Sequence, residues 1–97
     1  MDRQLQRNLI LQAAVLGRIY ITVGADDALY AAHQSENEFL NRHMRGDWGD
    51  VCAEDKASNG DGSGYCMSVY RTRLGKRLWI ITEYDHSVTT VLLPEEY

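Results

Sequence analysis

The sequence predicts an α+β domain: a small antiparallel sheet, made of a C-terminal three-stranded meander with an N-terminal edge strand, covered by three or four short helices. Three observations carry this expectation. The last third of the chain holds three runs rich in β-branched and aromatic residues, at 65–72, 76–84 and 87–93, separated by turn-forming residues. The middle holds a helix start signal, Ser35-Glu36-Asn37-Glu38, followed by apolar residues at helical spacing. The length of 97 residues, with 44% hydrophobic and 25% charged side chains and one proline, fits a single domain over 1–97 and rules out collagen-like, low-complexity and disordered chains. A domain this small buries only roughly 60–65% of the surface its unfolded chain exposes. A homo-oligomer, with a dimer as the favoured form, is therefore expected.

Taken in order, the helix over residues 4–15 is suggested by Leu5, Leu9, Ala13 and Leu16 at steps of three and four, which suit an amphipathic helix, although the Leu9-Ile10-Leu11 run also suits an extended segment. Arg18-Ile19-Tyr20-Ile21-Thr22-Val23 follows Gly17 and reads as a short strand. Thr22 is placed to cap a helix over 24–32, with Asp26 and Asp27 in its first turns, where the helix dipole favours anions. Ser35 and Glu38 form a capping box for a second helix that turns Phe39, Leu40, His43 and Met44 inward and stops at Gly46. Asp50 is suited to cap a short helix over 51–57, and residues 58–64 are a Gly- and Ser-rich loop. In the meander, Gly75 suits the left-handed position of the first turn, and Asp85-His86 makes the second. A regular second turn sets Thr82 opposite Thr89 and Ile81 opposite Thr90.

The charge is unevenly spread. Residues 1–46 carry five acids and five bases, and residues 65–97 four of each, so the whole net charge of −4 lies in 47–64. That layout argues against general nucleic-acid binding, which calls for a basic face. The exception is local: Arg71, Arg73, Lys76 and Arg77 cluster around the first hairpin turn, as a solvated tip or as a docking patch for the acidic segment of a neighbouring subunit. No run approaches the roughly 20 apolar residues of a membrane span, and no signal-peptide layout is present, so a cytoplasmic protein without a membrane partner is expected. Cys52 and Cys66 fall outside any C-x-x-C pair and read as reduced. The three histidines and two cysteines lack the spacing of a zinc site, and the acids between Asp47 and Asp61 lack the ligand order of a calcium loop. Neither a metal nor a cofactor is expected.

One long pattern stands out. Arg42-His43-x-x-Gly46-Asp47-Trp48-Gly49-Asp50, with Trp79-Ile80-Ile81-Thr82-Glu83-x-Asp85 and Ser87-Val88-Thr89-Thr90-Val91-Leu92-Leu93-Pro94-x-Glu96-Tyr97, resembles small uncharacterised proteins encoded on bacterial plasmids, integrative elements and integron gene cassettes. Leu16-Gly17-x-Ile19 and Thr22-x-Gly24-Ala25 extend the resemblance over residues 16–97. It implies accessory cargo of mobile DNA and brings no activity with it. Arginines usual in that family before the Ser68-x-Tyr70 match and in the second turn are replaced by Cys66 or Tyr65 and by His86.

The family-like residues outside the apolar core concentrate in two segments, which gives a candidate binding surface of His43, Asp47, Trp48, Asp50, Thr82, Glu83 and Thr90. The leading reading is a homo-oligomeric binding or interaction module with a small-molecule or protein partner. An aromatic pocket near Trp48, Tyr70 and Trp79 would serve a small-molecule binder. The enzyme alternative is a metal-independent ribonuclease in which His43 and His86 divide the proton transfers, Arg71 or Arg73 stabilises charge and Thr89 or Thr90 donates a hydrogen bond. Against these stand plainer roles: His43 as a structural histidine holding the helix end, Trp48 as a buried plug under the sheet, and threonines that simply suit strands.

Overall fold

The computed structural model describes residues 16–51 and 66–97. The helices expected over 4–15 and 51–57, and the loop over 58–64, lie outside the described residues. Gly17, at φ 64°, lies against the carbonyls of His86 and Ser87 and leads into β1, Arg18–Ile21. Helix α1, Val23–Ala31, starts on Thr22, whose hydroxyl accepts the Ala25 N–H at 3.2 Å, and carries Asp26 in its first turn.

Helix α2, Glu36–Met44, begins at Ser35, whose hydroxyl accepts from the Asn37 N–H. Glu38 does not make the reciprocal bond of a capping box. Its carboxylate instead accepts from the Gln34 side-chain amide at 2.9 Å, and Ser35 caps Asn37 rather than Glu38, so an ordinary N-cap stands in place of the expected box. Both helices end in the same way. The Gln34 and His33 N–H groups return to Leu29 and Tyr30 carbonyls, and those of Asp47 and Gly46 to Arg42 and His43, with His33 at φ 54° and Gly46 at φ 85° in the left-handed position.

Strands β2 (Cys66–Arg71), β3 (Arg77–Thr82) and β4 (Val88–Leu92) are antiparallel neighbours, and a 3-10 turn over Pro94–Glu96 follows. The turn length sets the register as the sequence implies, with Thr82 opposite Thr89 and Ile81 opposite Thr90. The sheet differs from the expected antiparallel one, because β1 adds to the far side of β4 in parallel, giving a four-stranded mixed sheet in the order β1-β4-β3-β2. Two α-helices cover it among the described residues, where three or four were expected.

Alternation divides the sheet into two faces. Ser68, Tyr70, Leu78, Ile80, Thr82, Thr89 and Val91 point to the helices and are buried with Leu16, Ala25, Leu29, Phe39 and Leu40. Val69, Trp79, Ile81, Thr90, Leu92 and Tyr20 take the other face, where Tyr97 meets Trp79 edge-on at 5.6 Å between ring centres.

Candidate functional site

Three polar residues fall on the buried face at one end of the sheet, and a histidine comes down on them from α2. Thr89 donates to the Leu16 carbonyl at 2.7 Å. Its single proton is thereby used, so Thr89 accepts from Thr82 at 2.8 Å, and Thr82 in turn accepts from His43 Nε2–H at 2.9 Å. His43 Nδ1 is left as the acceptor for the Ser68 hydroxyl. One carbonyl thus fixes the direction of every proton in the row and the tautomer of the histidine. Burial, with the nearby His86 adding like charge, lowers the His43 pKa from 6.5 to about 4. The ring is neutral, only 4% exposed, and engaged at both nitrogens.

The Arg42–Asp50 turn is a second device. The Arg42 guanidinium donates twice to Asp47, at 2.8 and 3.3 Å, and lies 4.5 Å over the Tyr70 ring. Arg42 holds the Asp47 carboxyl below the usual carboxylate range. Tyr70 donates to the Asp47 carbonyl at 2.6 Å and packs on Phe39. Beyond it, Val69 N–H donates to the Trp48 carbonyl and Asp50 N–H to the Val69 carbonyl, a short bridge along the outer edge of β2. Gly49, at φ 69°, makes this possible, since a β-carbon there would run into the Val69 carbonyl. The turn therefore closes one edge of the sheet.

The candidate residues separate accordingly. His43, Thr82 and Thr89 meet in the buried row; Asp47 and Asp50 are exposed on the edge-closing turn; Glu83 and Thr90 face the opposite side of the sheet. Trp48 is half-buried at the margin of β2 and not a plug under the sheet, because its backbone is spent on the edge bridge. Tyr70 and Trp79 stand on opposite faces by strand alternation, so the expected Trp48, Tyr70 and Trp79 pocket does not form. His86 is exposed at φ 58° in the β3–β4 turn. A ribonuclease base needs a nitrogen open to substrate, and both nitrogens of His43 are spent on Ser68 and Thr82.

Arg71 is exposed and its Nε lies 3.6 Å from Asp50 of the same chain, so one basic residue of the hairpin already meets the acidic segment internally. Lys76 pairs with Glu95 at 3.0 Å. Cys66 carries a free thiol that burial pushes up to about 11, with the Trp48 indole acting in the opposite sense. Among the described residues no three His, Cys, Asp or Glu side chains converge as a metal site, and no helix is long and apolar enough to cross a membrane.

Two grooves are lined wholly by described residues. One of about 520 Å³ runs between α1 and the β2–β3 hairpin, lined by Ala28, Ala31, Leu74 and Leu93 with Asp27 and Lys76, and holds none of the candidate residues. The other, about 320 Å³, lies on the face away from the helices and is lined by Ile81, Glu83, Thr90, Leu92, Glu96 and Tyr97. Sequence reading found Glu83 and Thr90 and missed the rest. The alternation that puts Ile81 and Leu92 beside Thr90 was the available signal.

The Glu96 side of this groove is tied down. Its carboxylate accepts from the Thr22 hydroxyl at 2.5 Å, the Leu93 N–H at 2.9 Å and the Gly24 N–H at 3.2 Å, bringing the C-terminal turn onto the start of α1. The fold and grooves define a small α+β domain with an apolar core, a buried polar row and a groove on the sheet face away from the described helices. Comparison with protein-family models, with curated proteins and with solved structures returns no match.

Proposed function

We propose that this chain is a self-associating binding module whose ligand sits on the sheet face away from the helices, in the groove of Ile81, Glu83, Thr90, Leu92, Glu96 and Tyr97. The observation that carries the reading is the division of labour among the candidate residues. The acid–base candidate His43 is consumed by the buried row, whereas Glu83 and Thr90 open together onto an apolar floor. Apolar walls with a few placed polar groups are what small-molecule sites use. With the Glu96 carboxylate already engaged by Thr22, Leu93 and Gly24, the Glu83 carboxylate selects a ligand that is apolar and positively charged. The resemblance to proteins encoded on mobile DNA supports reading such a module as accessory cargo.

The test is a thermal-shift survey of amphipathic amines beside matched anions and neutral compounds. A stabilising amine that is lost in Thr90→Arg and weakened in Glu83→Gln supports the reading. Equal shifts in wild type and Thr90→Arg, or no shift with any cation, reject it.

A further inference from the structure

The two edges of the sheet are treated differently. The β2 edge is closed by the Trp48–Asp50 bridge, while among the described residues nothing pairs with the margin of β1 that faces away from β4. The ladder with β4 uses the even residues of β1: Arg18 N–H donates to the Ser87 carbonyl and Thr22 N–H to that of Val91. The N–H and C=O groups of Ile19 and Ile21 therefore point away from the sheet. The strand is short and carries one charge, Arg18, at its start, but it has no proline, bulge or lysine. Its side chains are instead adhesive, with Ile19 36% and Tyr20 52% exposed.

We infer that β1 pairs antiparallel with β1 of a second copy about a two-fold axis at Tyr20, joining two four-stranded sheets into one of eight strands. The inference rests on the self-association in the proposed function and names its surface. Only the register centred on Tyr20 matches all four outward groups to one another, Ile19 to Ile21 of the second copy and Ile21 to Ile19, in four hydrogen bonds. Tyr20 then faces its own counterpart at a non-hydrogen-bonded position, where side chains approach most closely, and both rings lie on the face away from the helices beside Thr90.

Charge fits the same register. Arg18 makes no ion pair among the described residues, and it comes opposite Thr22 of the second copy. Thr22 is the residue whose hydroxyl holds the Glu96 carboxylate. Each Arg18 is thus delivered to a carboxylate across the axis, twice by symmetry. The two grooves then flank the axis, and each gains a guanidinium beside Glu96 while Glu83 stays available to a cationic ligand.

Light scattering across a concentration series, with variants chosen by which bond they remove, tests this. Wild type is expected at twice the 11.1 kDa chain mass. Ile19→Pro deletes an N–H that points off the sheet and leaves the β4 ladder intact, so it is expected to be monomeric with an unchanged circular dichroism spectrum. Should that variant fail to fold, Tyr20→Lys opposes two ammonium groups at the axis and is expected to raise the dimer dissociation constant at least tenfold. Tyr20→Cys is expected to form an interchain disulfide on mild oxidation, and Tyr84→Cys, exposed in the β3–β4 turn, is not. A dimer that persists in Tyr20→Lys, with no cross-link through Tyr20→Cys, overturns the β1 pairing but leaves self-association standing. A wild-type monomer throughout the series overturns both, whereas ligand binding in the groove is read separately by the thermal shift.

Discussion

The Tyr70 hydroxyl donates to the Asp47 carbonyl at 2.6 Å, tying the far end of β2 to the turn that leaves α2. Burial raises its pKa to about 12, with the Ser68 hydroxyl and then Arg42 opposing. A phenol whose folded value lies above its unfolded value near 10 stabilises below pH 10 and loses that contribution as pH rises toward 12. One of the six tyrosines should therefore ionise only on alkaline unfolding, seen as a late step in absorbance at 295 nm. Tyr70→Phe should cost about 1 kcal/mol at pH 7 by urea denaturation and abolish that step.

His43 carries the opposite sign. The unfolded chain takes up its proton from pH 6.5 downward, but the buried ring resists until about pH 4. The stabilisation is complete above pH 6.5 and is lost across the interval down to pH 4, a total of about 3 kcal/mol. Urea midpoints measured between pH 7.5 and 4 should fall accordingly, and a His43→Gln chain should show a flatter acid limb from a lower starting stability.

The glycines separate by what surrounds them. Gly17→Ala and Gly49→Ala drive a β-carbon into backbone carbonyls, of His86 and Ser87 in one case and Val69 in the other, and should cost more than about 3 kcal/mol or prevent folding. Gly75, at φ 85° with open space around it, should cost only about 1 kcal/mol as alanine. The ranking of unfolding midpoints in urea decides this.

His33 stands at φ 54° where a helix end favours glycine. Relief of the left-handed strain outweighs the added freedom of the unfolded chain, so His33→Gly should stabilise by about 0.5–1 kcal/mol, read as a raised melting temperature.

What the sequence made legible was local. Thr22 and Ser35 are capping residues wherever a helix starts behind them, and two short turns leave the β2–β3–β4 register little freedom. Glu38 misled because a neighbouring amide, Gln34, outcompeted the backbone N–H that a capping box requires. The parallel pairing of β1 with β4 joins residues about 70 apart and leaves no mark in either segment. The buried row was within reach: Ser68, Thr82 and Thr89 share the inward parity of three adjacent strands, and polar residues there demand a partner such as the inward-facing His43. The edge bridge made by Trp48 and Asp50 was not legible because backbone atoms make it, whereas the Asp47 carboxylate, paired with Arg42, left a readable charge.

The strand order also sets a timetable for synthesis. β1 leaves the ribosome before α1, yet its partner β4 is separated from it by the 66 residues between Ile21 and Val88. At ordinary elongation rates that is a wait of roughly 3–13 s. Throughout it, β1 lacks the partner that the finished sheet gives it, so nascent chains spaced along one messenger carry the same unpaired strand before either sheet is complete.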